Sequence, residues 1–143
     1  MIKDLKFREA WRWPRDLERS IKELIRGHNP TLNVPCGKSM MGLRVDIDLE
    51  VKPDVQADML HLPFRAMAFE AIVSDPPWSL PYHKRPQLLR ELHRVLKPRG
   101  LLVFNAPWSP RMRGKLVLLG SYLRWPPRGW RNITMTHLAL KIG

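Results

Sequence analysis

The stretch Ile72-Val73-Ser74-Asp75-Pro76-Pro77-Trp78 gathers an acid, two prolines and an indole directly behind an apolar run. Ala71-Ile72-Val73 predicts a buried strand, and the prolines, which cannot donate to a sheet ladder, predict its end. Each proline fixes its own φ and biases the residue before it toward extended geometry. The Asp75 carboxylate, the backbone carbonyls and the Trp78 ring are therefore held with little freedom. Such a corner suits a flat ligand that donates hydrogen bonds at its edge and stacks on its face.

Other residues able to do chemistry lie earlier in the chain. Thr31-Leu32-Asn33-Val34 predicts a short strand, and Pro35-Cys36-Gly37-Lys38-Ser39-Met40-Met41-Gly42 is the loop after it. A glycine turn at the carboxyl end of a first strand lets backbone approach a nucleotide-like ligand. Its spacing is not that of a phosphate-cradling GxxxxGK[ST] loop, which argues against ATP or GTP. Leu43-Arg44-Val45-Asp46-Ile47-Asp48 is a second strand ending in carboxylates, where an acid can accept two hydrogen bonds from a ribose diol; Asp46 is the first choice and Asp48 the second. Asp58-Met59-Leu60-His61-Leu62-Pro63-Phe64 supplies another acid over an apolar floor, a pattern that surface turns share.

Tyr82, His83 and Lys84 lie just past the proline corner, in either a substrate loop or a basic surface loop. Trp108, Trp125 and Trp130 among Arg111, Arg113, Arg124, Arg128 and Arg131 repeat the aromatic-with-arginine pattern of surfaces that bind nucleic-acid strands. The histidines are scattered without ligand spacing, and the single cysteine, Cys36, excludes an internal disulfide and a multi-cysteine zinc site, so no metal is expected.

The elements that must position these groups follow from periodicity. Residues 1–15 mix Phe7, Trp11 and Trp13 with Arg8, Arg12 and Arg15, either as an arm for nucleic acid or as a segment that tucks its tryptophans onto the body. Asp16 is expected to cap a helix to about Arg26, with Leu17, Ile21, Leu24 and Ile25 on one stripe and Gly27 ending it. Residues 69–75 are the strand behind the corner. Pro86 to Lys97 predicts a helix burying Leu88, Leu89, Leu92, Val95 and Leu96, and Leu101-Leu102-Val103-Phe104 a buried strand with Asn105-Ala106-Pro107-Trp108 as its outgoing turn. Residues 115–125 fit a short helix or a strand; residues 133–142 have strand character and can pair with 120–125 as an antiparallel hairpin. Strands separated by helices early and a hairpin late predict an α/β sheet, mostly parallel with an antiparallel C-terminal edge.

At 143 residues the chain has room for one principal domain, expected at 31–143 behind an N-terminal arm and packing helix at 1–30. Its charge of +12 is uneven. Residues 1–45 carry ten Lys/Arg against five Asp/Glu, residues 46–75 two against seven, and residues 76–143 thirteen against one. That last imbalance points to a polyanionic partner, nucleic acid first. No apolar run reaches the roughly 18 residues of a membrane span and the start lacks a signal-peptide core, which predicts a cytoplasmic protein. A homodimer is plausible, since so small a body offers little surface for reading a sequence.

Taken in series, Leu32-Asn33-Val34-Pro35-Cys36-Gly37-Lys38-Ser39, Val45-Asp46-Ile47-Asp48, Ala57-Asp58-Met59-Leu60-His61-Leu62-Pro63-Phe64, Ser74-Asp75-Pro76-Pro77-Trp78 and Leu92-His93-Arg94-Val95-Leu96-Lys97-Pro98-Arg99-Gly100-Leu101 resemble a class I S-adenosylmethionine-dependent methyltransferase with its Rossmann-like sheet, over about residues 31–143. The resemblance implies S-adenosyl-L-methionine as cofactor. Pro35, Cys36 and Gly37 would lie against its methionine part, Asp46 and Ile47 at its ribose, Asp58, Met59 and Leu60 at its adenine, and Asp75 beside it. Asp75, Pro76, Pro77 and Trp78 are similar to the Asp-Pro-Pro-aromatic motif of enzymes that methylate exocyclic amines in nucleic acids, adenine N6 first and cytosine N4 second. Trp78, Tyr82, His83, Lys84, Trp108, Arg111, Arg113 and Arg128 are then the residues expected to meet the substrate. The chain departs from the family in having Lys38-Ser39 where a second glycine is common, almost no chain between the first two strands, and no obvious target-recognition domain. A nucleic-acid-binding protein on a degenerate methyltransferase scaffold, and an enzyme of this fold acting on a protein amide or a small molecule, are the alternatives.

Overall fold

The structure is a computed structural model, and it describes residues 13–111, 114–124 and 134–142. The strands are β1 (Thr31–Asn33), β2 (Leu43–Asp46), β3 (Val55–Gln56), β4 (Phe69–Ser74), β5 (Leu96–Ala106), β6 (Leu116–Arg124) and β7 (Thr134–Lys141), and the helices are α1 (Arg15–Ile25) and α2 (Arg85–Val95). All seven strands form one sheet in the order β3-β2-β1-β4-β5-β7-β6. Strands β1 to β5 run parallel to one another, and β7 is antiparallel to both β5 and β6. The segment left open between helix and strand is thus strand β6. The hairpin docks through its second strand, leaving β6 as the sheet's edge.

Side chains alternate between two cores, as a strand buried on both faces requires. Leu32, Ile72, Leu102 and Phe104 point to the face covered by α2, where Leu88, Leu92 and Val95 meet them. Ala71, Val73, Leu101 and Val103 point to the opposite face, covered by α1 and Trp13. Helix α1 touches that face along one ridge: Ile21 is 1% exposed, Leu17 and Ile25 flank it at i±4, and Leu24, expected on the buried stripe, is 41% exposed. Asp16 is not the cap expected of it. Pro14 occupies that position, its carbonyl accepting the first helical bond from Glu18, and Asp16 falls in the first turn, where a carboxylate meets the positive end of the helix dipole.

Helix α2 stops two residues earlier than the sequence predicts, at Val95. Leu96 is already extended and pairs with Phe69, since Pro98 drives the residue before it out of helical geometry. Asn105 and Ala106, expected in a turn, extend β5 because β7 supplies partners for both. The end of α2 is closed from β7: the buried Lys141 ammonium donates to the carbonyls of His93 at 2.9 Å and Leu96 at 2.7 Å. Lys141→Met should keep the packing but strand two carbonyls at the negative end of a helix. It is expected to destabilise the fold by about 2 kcal/mol, read from urea unfolding.

The other end of the sheet is tied to α2 by Glu91, the one acid after Asp75. Its carboxylate accepts from Leu62 N and from the Arg94 guanidinium, which also donates to the carbonyls of Phe64 and Leu62. The arginine holds the Glu91 carboxyl below its usual pKa. The single acid of the basic C-terminal half therefore faces inward, paired, and does little to offset the positive surface around it. Among the described residues no helix is long and apolar enough to cross a membrane.

Candidate active site

Strand order reverses at β1, whose neighbours are β2 and β4, so the carboxyl ends of these three strands border one crevice. Residues 34–42 connect the parallel β1 and β2 without a helix. This short link needs two glycines in the left-handed region: Gly37 at φ +51 and Gly42 at φ +57, where a Cβ would stand 2.5 Å from the Thr31 carbonyl oxygen. The loop is held from beneath by Arg44. Its guanidinium, on a side chain only 7% exposed, donates to the carbonyls of Ser39, Gly37, Val51 and Lys52 at 2.7–3.0 Å.

The crevice is lined by Pro35, Cys36 and Gly37 after β1, Asp46 at the end of β2, Asp75 after β4, and Trp13 from the N-terminal side. The free cavity is only about 10 Å³, room for no more than a water molecule, so a small-molecule ligand requires the crevice to open. Asp46 is 8% exposed and accepts Gly37 N at 2.9 Å on Oδ2 and Asp48 N at 3.0 Å on Oδ1. Each oxygen keeps a second lone pair. Asp48, the second choice, turns aside to cap a short 3-10 turn by accepting from Glu50 N, so the structure brings Asp46 and not Asp48 to the crevice.

Asp75 is half-buried, and its Oδ1 accepts the Asn105 amide at 3.1 Å. Asn105 is oriented in turn by the Thr136 hydroxyl at 3.0 Å, from β7. Burial pushes the Asp75 pKa up to about 6, against the opposing pull of the Asn105 hydrogen bond. Cys36 is also affected by burial, its thiol raised to about 11 although the Arg44 charge acts the other way. At neutral pH it is a protonated, unreactive thiol.

None of the remaining predicted residues is among those that line this crevice. Ile47 is exposed next to Asp46, and Asp58 accepts from Leu60 N and faces His61 at 3.4 Å. Met59 packs at the edge of the first core and Leu60 lies inside it. Leu80 N bonds the Pro77 carbonyl, closing a turn after the corner, and Trp78 is half-buried beside it. Tyr82, His83 and Lys84 form an exposed 3-10 turn. Trp108 packs edge-on against Phe104 at 5.3 Å, with the Arg85 guanidinium 4.6 Å above its ring, and Arg111 is exposed beyond it. Arg113, Trp125, Arg128, Trp130, Arg131 and the residues 1–12 of the N-terminal segment lie outside the described residues, as does the side chain of Arg124; Trp13 is tucked onto the body.

Sequence reasoning missed three residues of the site. Trp13 belongs to the segment read either as an arm or as tucking its tryptophans onto the body, Asn105 to an expected turn, and Arg44 to an expected strand in which it has no assigned role. For Arg44 the signal existed: it stands between two inward-facing apolar neighbours in a strand buried on both faces.

Residues 40–104 match the family model described as a methyltransferase domain. Solved structures agree along most of the chain. An N-methyltransferase, NodS from Bradyrhizobium japonicum WM9, superposes with a TM-score of 0.67 at 11% identity, covering 90% of this chain and 96% of that one. The chain shares the Rossmann-like fold of these methyltransferases. A SAM-dependent methyltransferase from Methanosarcina mazei shares it at a TM-score of 0.61 and 11% identity, over 78% and 92% of the two chains. TrmN from Thermus thermophilus shares it at 0.61 and 15% over 88% of this chain, which spans about half (48%) of TrmN. No curated protein sequence matches this one.

The cofactor that the methyltransferase domain and these neighbours imply is S-adenosyl-L-methionine. Of the residues expected to hold it, Pro35, Cys36, Gly37, Asp46 and Asp75 line the crevice, and Ile47, Asp58, Met59 and Leu60 do not. Asp46 has spare acceptor positions for a ribose diol, Gly37 brings no side chain into the way, and the Cys36 thiol is protonated and will not compete for an electrophile. Asp46→Ala is expected to weaken cofactor binding about 100-fold, the loss of two charge-assisted hydrogen bonds, whereas Asp48→Ala should change it less than about threefold, both read by calorimetry.

Proposed function

We propose that this protein uses S-adenosyl-L-methionine to methylate the exocyclic amine of a base in nucleic acid, adenine N6 first, with cytosine N4 as the alternative. The observation that carries the reading is the Asp75 carboxylate, braced by Asn105 in the same crevice as Asp46 and followed directly by Pro76-Pro77-Trp78. The surrounding charge of +12 supports a polyanionic substrate.

The cofactor supplies an electrophilic methyl group on a sulfonium. The residues of the chain must position a poor nucleophile, because the lone pair of an aromatic amine is delocalised into its ring. Asn105 occupies Asp75 Oδ1, leaving Oδ2 to accept an N–H of the amine, and the Pro76 carbonyl is the second acceptor. Two acceptors on the two amine hydrogens turn the nitrogen lone pair out of the ring plane and fix its direction. Positive charge growing on that nitrogen is met by an ionised Asp75. A carboxylate with a pKa near 6 is also suited to take the departing proton and return it to water at neutral pH. Trp78 stacks on the base, contributing roughly 1–3 kcal/mol toward the cost of unstacking it from its strand.

The test is incubation with methyl-labelled cofactor and separate pools of DNA and RNA, followed by digestion to nucleosides and mass spectrometry. Labelled N6-methyladenine or N4-methylcytosine nucleoside is the expected product. Cofactor binding without label in either pool would move the reading to a protein amide or a small molecule. Absence of cofactor binding at millimolar concentration would leave a non-catalytic scaffold, which the short loop at 34–42 favours.

A further inference from the structure

A second concavity lies apart from the crevice and shares none of its lining. It is a groove of about 960 Å³ between α2, the residues following β5 and the start of β6, with Arg85, Arg90, His93, Trp108, Arg111 and Lys115 on its walls. Among the described residues no helix lies between β5 and β6.

Three of its lining residues carry a buried nitrogen, Arg85 Nε, His93 Nε2 and Trp108 Nε1, without a hydrogen-bond partner among the described residues. The lining holds three arginines and a lysine with no acid, and the Arg85 guanidinium sits between the Trp108 ring at 4.6 Å and the Tyr82 ring at 5.2 Å. Cations interleaved with aromatic faces are the chemistry of a single nucleic-acid strand, phosphates on the cations and bases on the rings.

The chain that walls the groove leads on from the candidate active site in sequence. Asn105, which braces Asp75, precedes Trp108 by three residues, and Trp78 precedes Tyr82 by four. The groove follows α2, whose eleven residues measure roughly 16 Å, the length of about five stacked nucleotides at 3.4 Å each. We infer that this groove is a binding site for single-stranded nucleic acid, holding the strand that flanks the target base along α2. The inference rests on the nucleic-acid reading above and adds the path of the strand.

The test is a double variant, Arg90→Glu with Lys115→Glu, two exposed positions whose replacement should leave the fold intact, checked by thermal unfolding. Binding of a labelled 12-nucleotide single strand, as DNA and as RNA, is followed by fluorescence polarisation from 50 to 300 mM salt. The variant is expected to bind at least tenfold more weakly, with the slope of log affinity against log salt smaller by about 1.4, the value for two lost phosphate contacts. Unchanged affinity and slope would overturn the groove, as would equal binding of poly-glutamate of matched charge by the unmodified protein. Methyl transfer to the same oligonucleotide is scored separately. Groove-dependent binding without transfer would overturn the methylation reading and leave the groove standing; transfer that the double variant retains at full KM would do the reverse.

Discussion

Asp75→Asn is expected to reduce methyl transfer about 1000-fold while making the fold more stable at neutral pH. The activity falls because asparagine presents no negative charge to the nitrogen as it becomes positive and cannot take its proton; contributions of this size are usual for a positioned acid-base group. The fold gains because burial raises the folded pKa of Asp75 from 3.8 to about 6. A carboxyl with a raised folded pKa holds its proton more tightly folded than unfolded, so folding is penalised above about pH 6 and not at all below about pH 3.8. The penalty corresponds to about 3 kcal/mol. Asparagine escapes it and still accepts the Asn105 hydrogen bond. Urea unfolding of both proteins at pH 8 and pH 3.5 should show the variant ahead at pH 8 by an amount that vanishes at pH 3.5. In the unmodified protein, transfer should rise about tenfold per pH unit below 6 and level off above. Full activity in Asp75→Asn would remove the residue from the mechanism, and identical pH-stability curves would show that its carboxyl is not buried in the folded chain.

Arg44→Met should destabilise the fold by about 4 kcal/mol and abolish measurable cofactor binding. One guanidinium satisfies four carbonyls drawn from two loops, Gly37 and Ser39 on one side and Val51 and Lys52 on the other. Hydrogen bonds to a charged donor are worth roughly 1.5–3 kcal/mol each, less than additive when shared by one group, and a buried acceptor left without a donor adds its own desolvation penalty. The effect on the crevice follows from geometry: with the Gly37 carbonyl released, the Gly37 N–H loses its aim at Asp46 Oδ2. Arg44→Lys keeps the charge but not the planar fork, so it should recover less than half of the lost stability. Denaturant unfolding and calorimetry measure the two effects. A loss below about 1 kcal/mol would mean that the loops hold their shape without the guanidinium.

The legible parts of the chain were those governed by local rules. The strand behind Asp75 is bounded by prolines, Asp46 is the first acid after a strand, and α2 carries four buried apolar positions at helical spacing. These follow from the chain's own neighbours within a few residues. The helix boundaries moved by one or two residues for equally local reasons, Pro14 at one end and Pro98 at the other.

Less was legible where a residue's role depends on chain far away in sequence. Nothing near Asn105 announces that it braces Asp75, thirty residues earlier, or that Thr136 braces it in turn; both facts depend on β7 lying against β5. That Lys141 closes α2, that Arg44 anchors two loops, and that Trp13 walls the crevice are likewise long-range.

The sequence by itself determined both helices, the strands β1, β2, β4 and β7 and the heart of β5, the rigid acid-proline corner, the acid at the end of β2 and the basic C-terminal half, because periodicity, proline geometry and charge act along the chain; it left β3 unread and β6 open between helix and strand. Tertiary structure alone decided which of Asp46 and Asp48 enters the crevice, how deeply Asp75 is buried and hence where it titrates, and the insertion of β7 between β5 and β6. Those outcomes depend on desolvation and on hydrogen bonds between segments that only folding brings together.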